Sequence, residues 1–173
     1  MGEIKTYTIS IFTENHVGLL NRITIIFTKR RLNIESLNTS ESEIKGIHRF
    51  TIVVNVSEET VIKLVKQIEK QIEVVRAFYH IDEETVFQEI ALYKVHTNTI
   101  VNGIKVESLI RDNHARILAI ENDFIIIEKT GRKEETNDLL KKLEPYGIME
   151  FVRSGRVSVT KPLEHMGSLL KIK

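Results

Sequence analysis

Cysteine is absent from this 173-residue chain, which excludes disulfide staples, thiolate nucleophiles and cysteine-based metal sites. A surplus of either charge is absent as well: 25 basic and 24 acidic residues leave a formal net charge of +1. Such a balance supplies no overall field to draw in nucleic acid or an anionic membrane, and neither is expected as a partner. No apolar run approaches the roughly 18 residues needed to cross a bilayer. Stretches such as Ile23 to Phe27 and Phe124 to Ile127 have the length of strand or helix cores. The six histidines (16, 48, 80, 96, 114 and 165) show no His-x-x-x-His or clustered-carboxylate spacing, so no metal site is expected. No Gly-x-Gly-x-x-Gly, phosphate-binding loop or nucleophile elbow occurs, and no catalytic residue is assigned. No secretory signal is visible. Met1-Gly2-Glu3-Ile4-Lys5-Thr6 nominally fits the N-myristoylation pattern, but a strand begins at once and no polybasic or second lipid signal follows. A cytoplasmic protein is the expectation.

What is present is an ordinary globular balance, 42% hydrophobic and 28% charged, in a length that suits one domain or two small ones. Two domains of about eighty residues would each be modestly stable alone, and oligomerisation would help them.

Lys5 to Phe12 alternates, with Tyr7, Ile9 and Ile11 on one side and Thr6, Thr8 and Ser10 on the other, the mark of a half-buried strand. After a break at Glu14 to Gly18, the period lengthens. Leu19, Leu20, Ile23, Ile26 and Phe27 predict a helix ending near Arg31. A second strand is expected from about Asn33 to Glu43, a turn at Ile44-Lys45-Gly46, and a third strand through Phe50, Ile52, Val54 and Val56. Ser57, Glu58 and Glu59 cap a helix striped by Val61, Leu64, Val65, Ile68 and Ile72. Val74 to His80 is a fourth strand. Residues 81–87 read as an acidic linker, after which the pattern restarts. It runs through a strand from Glu89 to His96, a helix from Gly103 to Arg111, and strands Arg116 to Glu121 and Phe124 to Lys129. A helix from Thr136 to Leu143 and a strand from Ile148 to Arg153 follow, and Val157 to Thr160 extends or replaces that last strand. Glu89 and Lys94 are expected to face solvent or a neighbouring subunit.

Each half therefore reads βαββαβ. The expected class is α+β, two tandem ferredoxin-like domains at 1–80 and 88–173, each a four-stranded antiparallel sheet with two helices on one face. An uncovered sheet face or edge invites dimerisation.

The most informative stretch is the first turn. A helix N-terminus offers unpaired N–H groups and partial positive charge, which suits a carboxylate. Gly18 would let a ligand approach the backbone, Asn15 supplies both a donor and an acceptor, and Asn33 could face the same crevice. The same residues also fit ordinary capping chemistry, with Asn33 simply ending the helix.

Glu14-Asn15-His16-Val17-Gly18-Leu19-Leu20-Asn21-Arg22-Ile23, followed by Phe27 and by Asn33-Ile34-Glu35-Ser36-Leu37, resembles the opening blocks of the acetohydroxyacid synthase small subunits. Arg153-Ser154-Gly155-Arg156-Val157 resembles the family's closing strand. The resemblance spans roughly residues 4 to 161. It implies that the first half is an ACT domain that pairs with another copy and binds a branched-chain amino acid, typically valine, between the pair. Asn15, Gly18 and Asn33 fall on the family's ligand positions; His16, Val17, Leu19, Leu20 and Ile34 join them by adjacency. It further implies a large catalytic subunit as partner, which would hold the thiamine diphosphate, magnesium and flavin (FAD), with no cofactor in this chain. The second half is then the better candidate for partner contacts. The family usually carries glycine where this chain has Arg31. A stand-alone ACT-domain sensor controlling a different enzyme is the alternative reading.

Overall fold

The computed structural model describes residues 2–97 and 104–161. The chain divides into two compact units. One comprises residues 1–87 together with the segment beginning at Arg156, and the other residues 88–155.

In the first unit, β1 (Ile4–Glu14) leads to α1 (Leu19–Lys29), β2 (Ser36–Glu41), β3 (Ile47–Ser57), α2 (Glu58–Ile68) and β4 (Val74–Ile81). The sheet order is β2-β3-β1-β4, antiparallel throughout. The period-2 rows Tyr7, Ile9, Ile11 and Phe50, Ile52, Val54, Val56 face the helices, which return Leu19, Ile23, Ile26, Phe27 and Val61, Leu64, Val65, Ile68. Each such side chain contributes about 1.5–3 kcal/mol on leaving water. The expected order is present, with shifts at the edges. β2 begins three residues after Asn33. Ile72, counted in the α2 stripe, stands beyond the helix and is almost fully exposed.

The first helix stops where hydrogen bonding dictates. Arg31 N–H donates to the Thr28 carbonyl and Leu32 N–H to the Phe27 carbonyl, 3.0 Å each. Arg31 itself turns left-handed, with φ +54°. That is a Schellman cap, whose pivot position favours glycine because an L side chain crowds the backbone there. Leu32 then packs back on the core.

In the second unit, β5 (Thr85–His96) is followed by α3 (Ile104–Asp112), β6 (Arg116–Ile120), β7 (Phe124–Gly131), α4 (Lys133–Leu143), a 3-10 turn at Glu144–Tyr146 and β8 (Ile148–Arg153). The path is β6-β7-β5-β8. The core holds Ala91, Tyr93, Val95, Val106, Ile110, Ile125, Ile127, Leu139 and Leu143. The expected start of α3, Gly103, lies outside the described residues.

Within residues 81–87, the expected acidic linker, Asp82–Glu84 form a 3-10 turn, Glu84 accepts the Ile81 N–H at 3.2 Å, and β5 already begins at Thr85. One expectation is corrected: Glu89 does not face solvent. It shares the parity of Ala91, Tyr93 and Val95, is 7% exposed, and its carboxylate lies 3.2 Å from Arg153 Nε. The alternation of β5 alone places it inward. The closing strand β9 (Val157–Thr160) pairs with β5, and Lys161 N–H donates to the Glu84 carbonyl just ahead of it.

Candidate ligand-binding site

β1 ends at Glu14, and the chain reverses through Asn15 to Gly18 into α1. Gly18 has φ +84° and ψ −2°, a left-handed cap, and an added Cβ would meet no atom within 4 Å. Glycine is therefore required here by backbone conformation rather than by crowding. His16 N–H donates to the Glu14 carbonyl at 3.2 Å, Leu19 N–H to the His16 carbonyl at 3.3 Å and Arg22 N–H to the Gly18 carbonyl at 3.2 Å, which together tie the turn down. The first turn of α1 carries no acidic side chain and no side-chain cap, so the positive end of its dipole has no carboxylate of its own.

A crevice of about 170 Å³ opens against this turn. Five of the eight expected residues line it: Asn15, His16, Gly18, Leu19 and Leu20. The other three do not. Val17 points outward and is fully exposed; Asn33 is exposed in the segment between α1 and β2; Ile34 is half-buried against the first core. Five further residues complete the lining: Thr13 and Glu14 from β1, and Thr39, His48 and Phe50 from the β2–β3 hairpin. Sequence spacing did not reveal them, because they arrive by register. Thr13 lies opposite His48, and Phe50 lies opposite Thr39. The parity of Thr13 with Ile9 and Ile11, and of His48 with Phe50, was the available signal.

The rim is polar and wet. His16 Nε2 lies 3.0 Å from Glu14 Oε2, with both side chains more than half exposed. Behind the turn, Arg22 pairs with Glu73, whose carboxyl is held below its ordinary value, first by a hydrogen bond from its own backbone N–H and then by Arg22. Glu14 N–H donates to the Glu73 carbonyl at 3.0 Å, locking the turn to the α2–β4 loop. Arg22 is thus engaged within its own unit. The Thr13 hydroxyl is buried beneath the crevice without a partner among the described residues. No grouping of three or more His, Asp or Glu that could hold a metal ion occurs among the described residues. No described helix is long and apolar enough to cross a membrane.

A β2-β3-β1-β4 sheet backed by two helices, with a glycine-led turn opening the first of them, defines an ACT-domain protein. Residues 9–76 match the model of the AHAS small subunit-like ACT domain, and residues 88–162 match that of the small subunit of acetolactate synthase. The chain belongs to the family of acetolactate synthase small subunits. It is similar to the acetolactate synthase small subunit of Mycolicibacterium smegmatis, 34% identical across 94% of this chain and 95% of that one. The corresponding Bacillus subtilis subunit is 36% identical across 92% and 93%. The crystal structure of the acetolactate synthase small subunit from Thermotoga maritima superposes with a TM-score of 0.83 at 26% identity, covering 93% of this chain and 100% of that one.

Proposed function

We propose that this chain is a cytoplasmic, non-catalytic regulatory subunit for branched-chain amino-acid synthesis. It activates the large catalytic subunit of acetolactate synthase and transmits feedback inhibition by a branched-chain amino acid, with valine the first to test. The observation that carries this reading is the Gly18 turn: a left-handed glycine starts a helix whose positive end has no carboxylate of its own and borders an open crevice. The ligand carboxylate would sit at that end, its ammonium near Glu14, and its aliphatic tail against Leu19, Leu20 and Phe50. At about 170 Å³ the crevice is smaller than the roughly 300–1,000 Å³ of a self-sufficient small-molecule pocket. That supports a ligand shared between two copies, with ACT domains paired as a homodimer. Asn33 and Ile34, which do not line the crevice, would reach the ligand only in such a pair.

Thiamine diphosphate, magnesium and flavin would belong to the catalytic partner. The effector-binding block is then 1–80, joined through 81–87 to a partner-binding block at 88–173. The structural units differ from this functional division in placing the segment from Arg156 with the first.

Reconstitution with the cognate large subunit, with valine, leucine and isoleucine titrated separately, tests the reading. Gly18→Asp sets a carboxylate where the ligand's own would sit, and Asn15→Ala removes a donor and an acceptor. Both are expected to lose inhibition by about 5-fold or more while keeping activation, since feedback coupling is typically 1–3 kcal/mol. Unchanged inhibition in both variants rejects the site; failure of the wild type to raise the large subunit's activity rejects the function.

A further inference from the structure

The first sheet has a second face. Thr8, Ser10 and Phe12 alternate with the core-facing row of β1, and Thr51 and Val53 do so on β3, yet all are buried. Their cover includes the opening of β5 and strand β9. Thr85 and Ser158 are buried, whereas Val86, Val157 and Val159 of the same strands are more than half exposed.

The contacts under this cover are polar. Arg156, 7% exposed, donates through Nη1 to Thr8 Oγ1 at 2.8 Å and to Asp82 Oδ1 at 2.6 Å, with its guanidinium 3.5 Å from the centre of the Phe87 ring. Its backbone N–H reaches Ser36 Oγ at 3.4 Å. Arg49 donates through Nη2 to Ser10 Oγ at 3.1 Å and to the Ser158 carbonyl at 2.8 Å. No carboxylate forms an ion pair with Arg49 among the described residues, and its Nε has no acceptor there. Burial pulls its pKa below the ordinary value, with the Glu43 charge pulling the other way.

Such a seat is easily re-set. A half-buried guanidinium held by one hydroxyl and one backbone carbonyl regains hydration when the strand lifts, and the face beneath it is rich in hydroxyls that water can also satisfy. Arg49 also has informative neighbours. His48 and Phe50, on either side of it in β3, both line the crevice on the helix side of the sheet. By strand alternation Arg49 points to the opposite face, where it holds β9. A backbone adjustment over three residues therefore reaches both places at once.

We propose that Arg49 is a positioning residue that couples occupancy of the Gly18 crevice to the docking of β9 on the back of the same sheet. The β9 segment is then the output element of the regulatory domain. This rests on the effector reading above. Coupling requires that the ligand favour one arrangement of β3 over another, and an element with two docked states is what it biases.

Hydrogen exchange on the full-length chain, with and without saturating valine, tests it. In the wild type, amides of residues 48–50 and of 156–161 are both expected to change protection several-fold with valine. In Arg49→Gln, calorimetry should give a valine Kd within about two-fold of the wild type, residues 48–50 should still respond, and 156–161 should not. Arg49→Lys, which can restore one donor to Ser158, should recover part of the response, an outcome that mere loss of folding would not produce. Ser10→Ala, which removes the acceptor on β1, should weaken the response if Arg49→Gln does not fold. Protection at 156–161 that ignores valine in the wild type while 48–50 responds overturns the relay and leaves the effector site standing. An equal response at 156–161 in wild type, Arg49→Gln and Ser10→Ala also overturns it. No binding and no change anywhere overturns both.

Discussion

The two units share a chain plan but divide their polar groups differently. In the first, the apolar core beneath the helices is free of charge, and the guanidiniums lie on the opposite face of the sheet, Arg49 half-buried and Arg156 buried. In the second, the charge sits on the core side. Glu89 and Arg153 meet at 3.2 Å beside the start of α4, where Arg153 also donates to Asn137 Oδ1 at 2.8 Å and to Thr136 Oγ1 at 3.2 Å. The outer face of the second unit keeps aliphatic side chains in water, Ile90 at 46% and Val152 at 53% exposure. The same frame thus yields one sheet whose polar face is covered by its own chain and another whose apolar face is open. On the proposed effector reading, the first arrangement suits a sensor whose cover moves. The second ties α4 to the sheet by a network that tolerates little movement.

The contrast is broken most severely by Glu89→Ala. Removing one member of a buried pair leaves the other charge unpaired, which destabilises by about 3–5 kcal/mol. Denaturant unfolding should show that loss, and hydrogen exchange should localise it to residues 88–97 and 104–155. Equal loss of protection in the first unit would show that the two unfold as one.

A second difference is open to pH. Tyr93, in the second core, donates its hydroxyl to the Thr136 carbonyl at 2.6 Å. Burial pushes its pKa up to about 12, with Arg153 pulling the other way. An unfolded tyrosine ionises near 10. Because the folded value is the higher, this contribution is complete below pH ~10 and is lost as pH rises from there through 12. Stability of the second unit should therefore fall across that window, and Tyr93→Phe should remove the alkaline slope. A slope unchanged in the variant would assign it to another group.

The smallest effect concerns what the units share. His114 ends α3 as Arg31 ends α1. It has φ +51°, His114 N–H donates to the Arg111 carbonyl, and Ala115 N–H donates to the Ile110 carbonyl. An L residue in this conformation costs roughly 1–2 kcal/mol, and glycine gives back part of the relief through its more flexible unfolded state. Arg31→Gly and His114→Gly should each stabilise by a few tenths to about 1 kcal/mol in thermal unfolding. They should add in the double variant, since the two caps belong to different units. On the proposed effector reading, inhibition by valine should survive Arg31→Gly, because the left-handed turn that glycine favours is already made by arginine.

Much of the fold was legible because its cores are written in period. The alternation of Tyr7, Ile9 and Ile11, and the 3.6-residue stripe of Leu19, Ile23, Ile26 and Phe27, specify element type and facing without reference to anything distant. The start of α2 at Ser57 was legible for the same local reason, although the Ser57 side chain makes no capping hydrogen bond. Half of the crevice was equally visible, since Asn15 to Leu20 are consecutive and Gly18 announces a left-handed turn. Glu89 was misread because a charged residue on a strand ordinarily faces water, and its partner Arg153 lies 64 positions away.

By itself the sequence determined the two βαββαβ repeats, their cores, the glycine-led turn, and membership of the small-subunit family, all of which depend on neighbours a few residues apart. Only the tertiary structure decided that Thr39, His48 and Phe50 complete the crevice, that Asn33, Ile34 and Val17 stand away from it within a single chain, and that Arg156 and Ser158 return to cover the sheet that begins at Ile4. Those outcomes depend on strand register and on hydrogen bonds spanning up to 148 residues. A pattern of local periods carries no record of contacts at that separation.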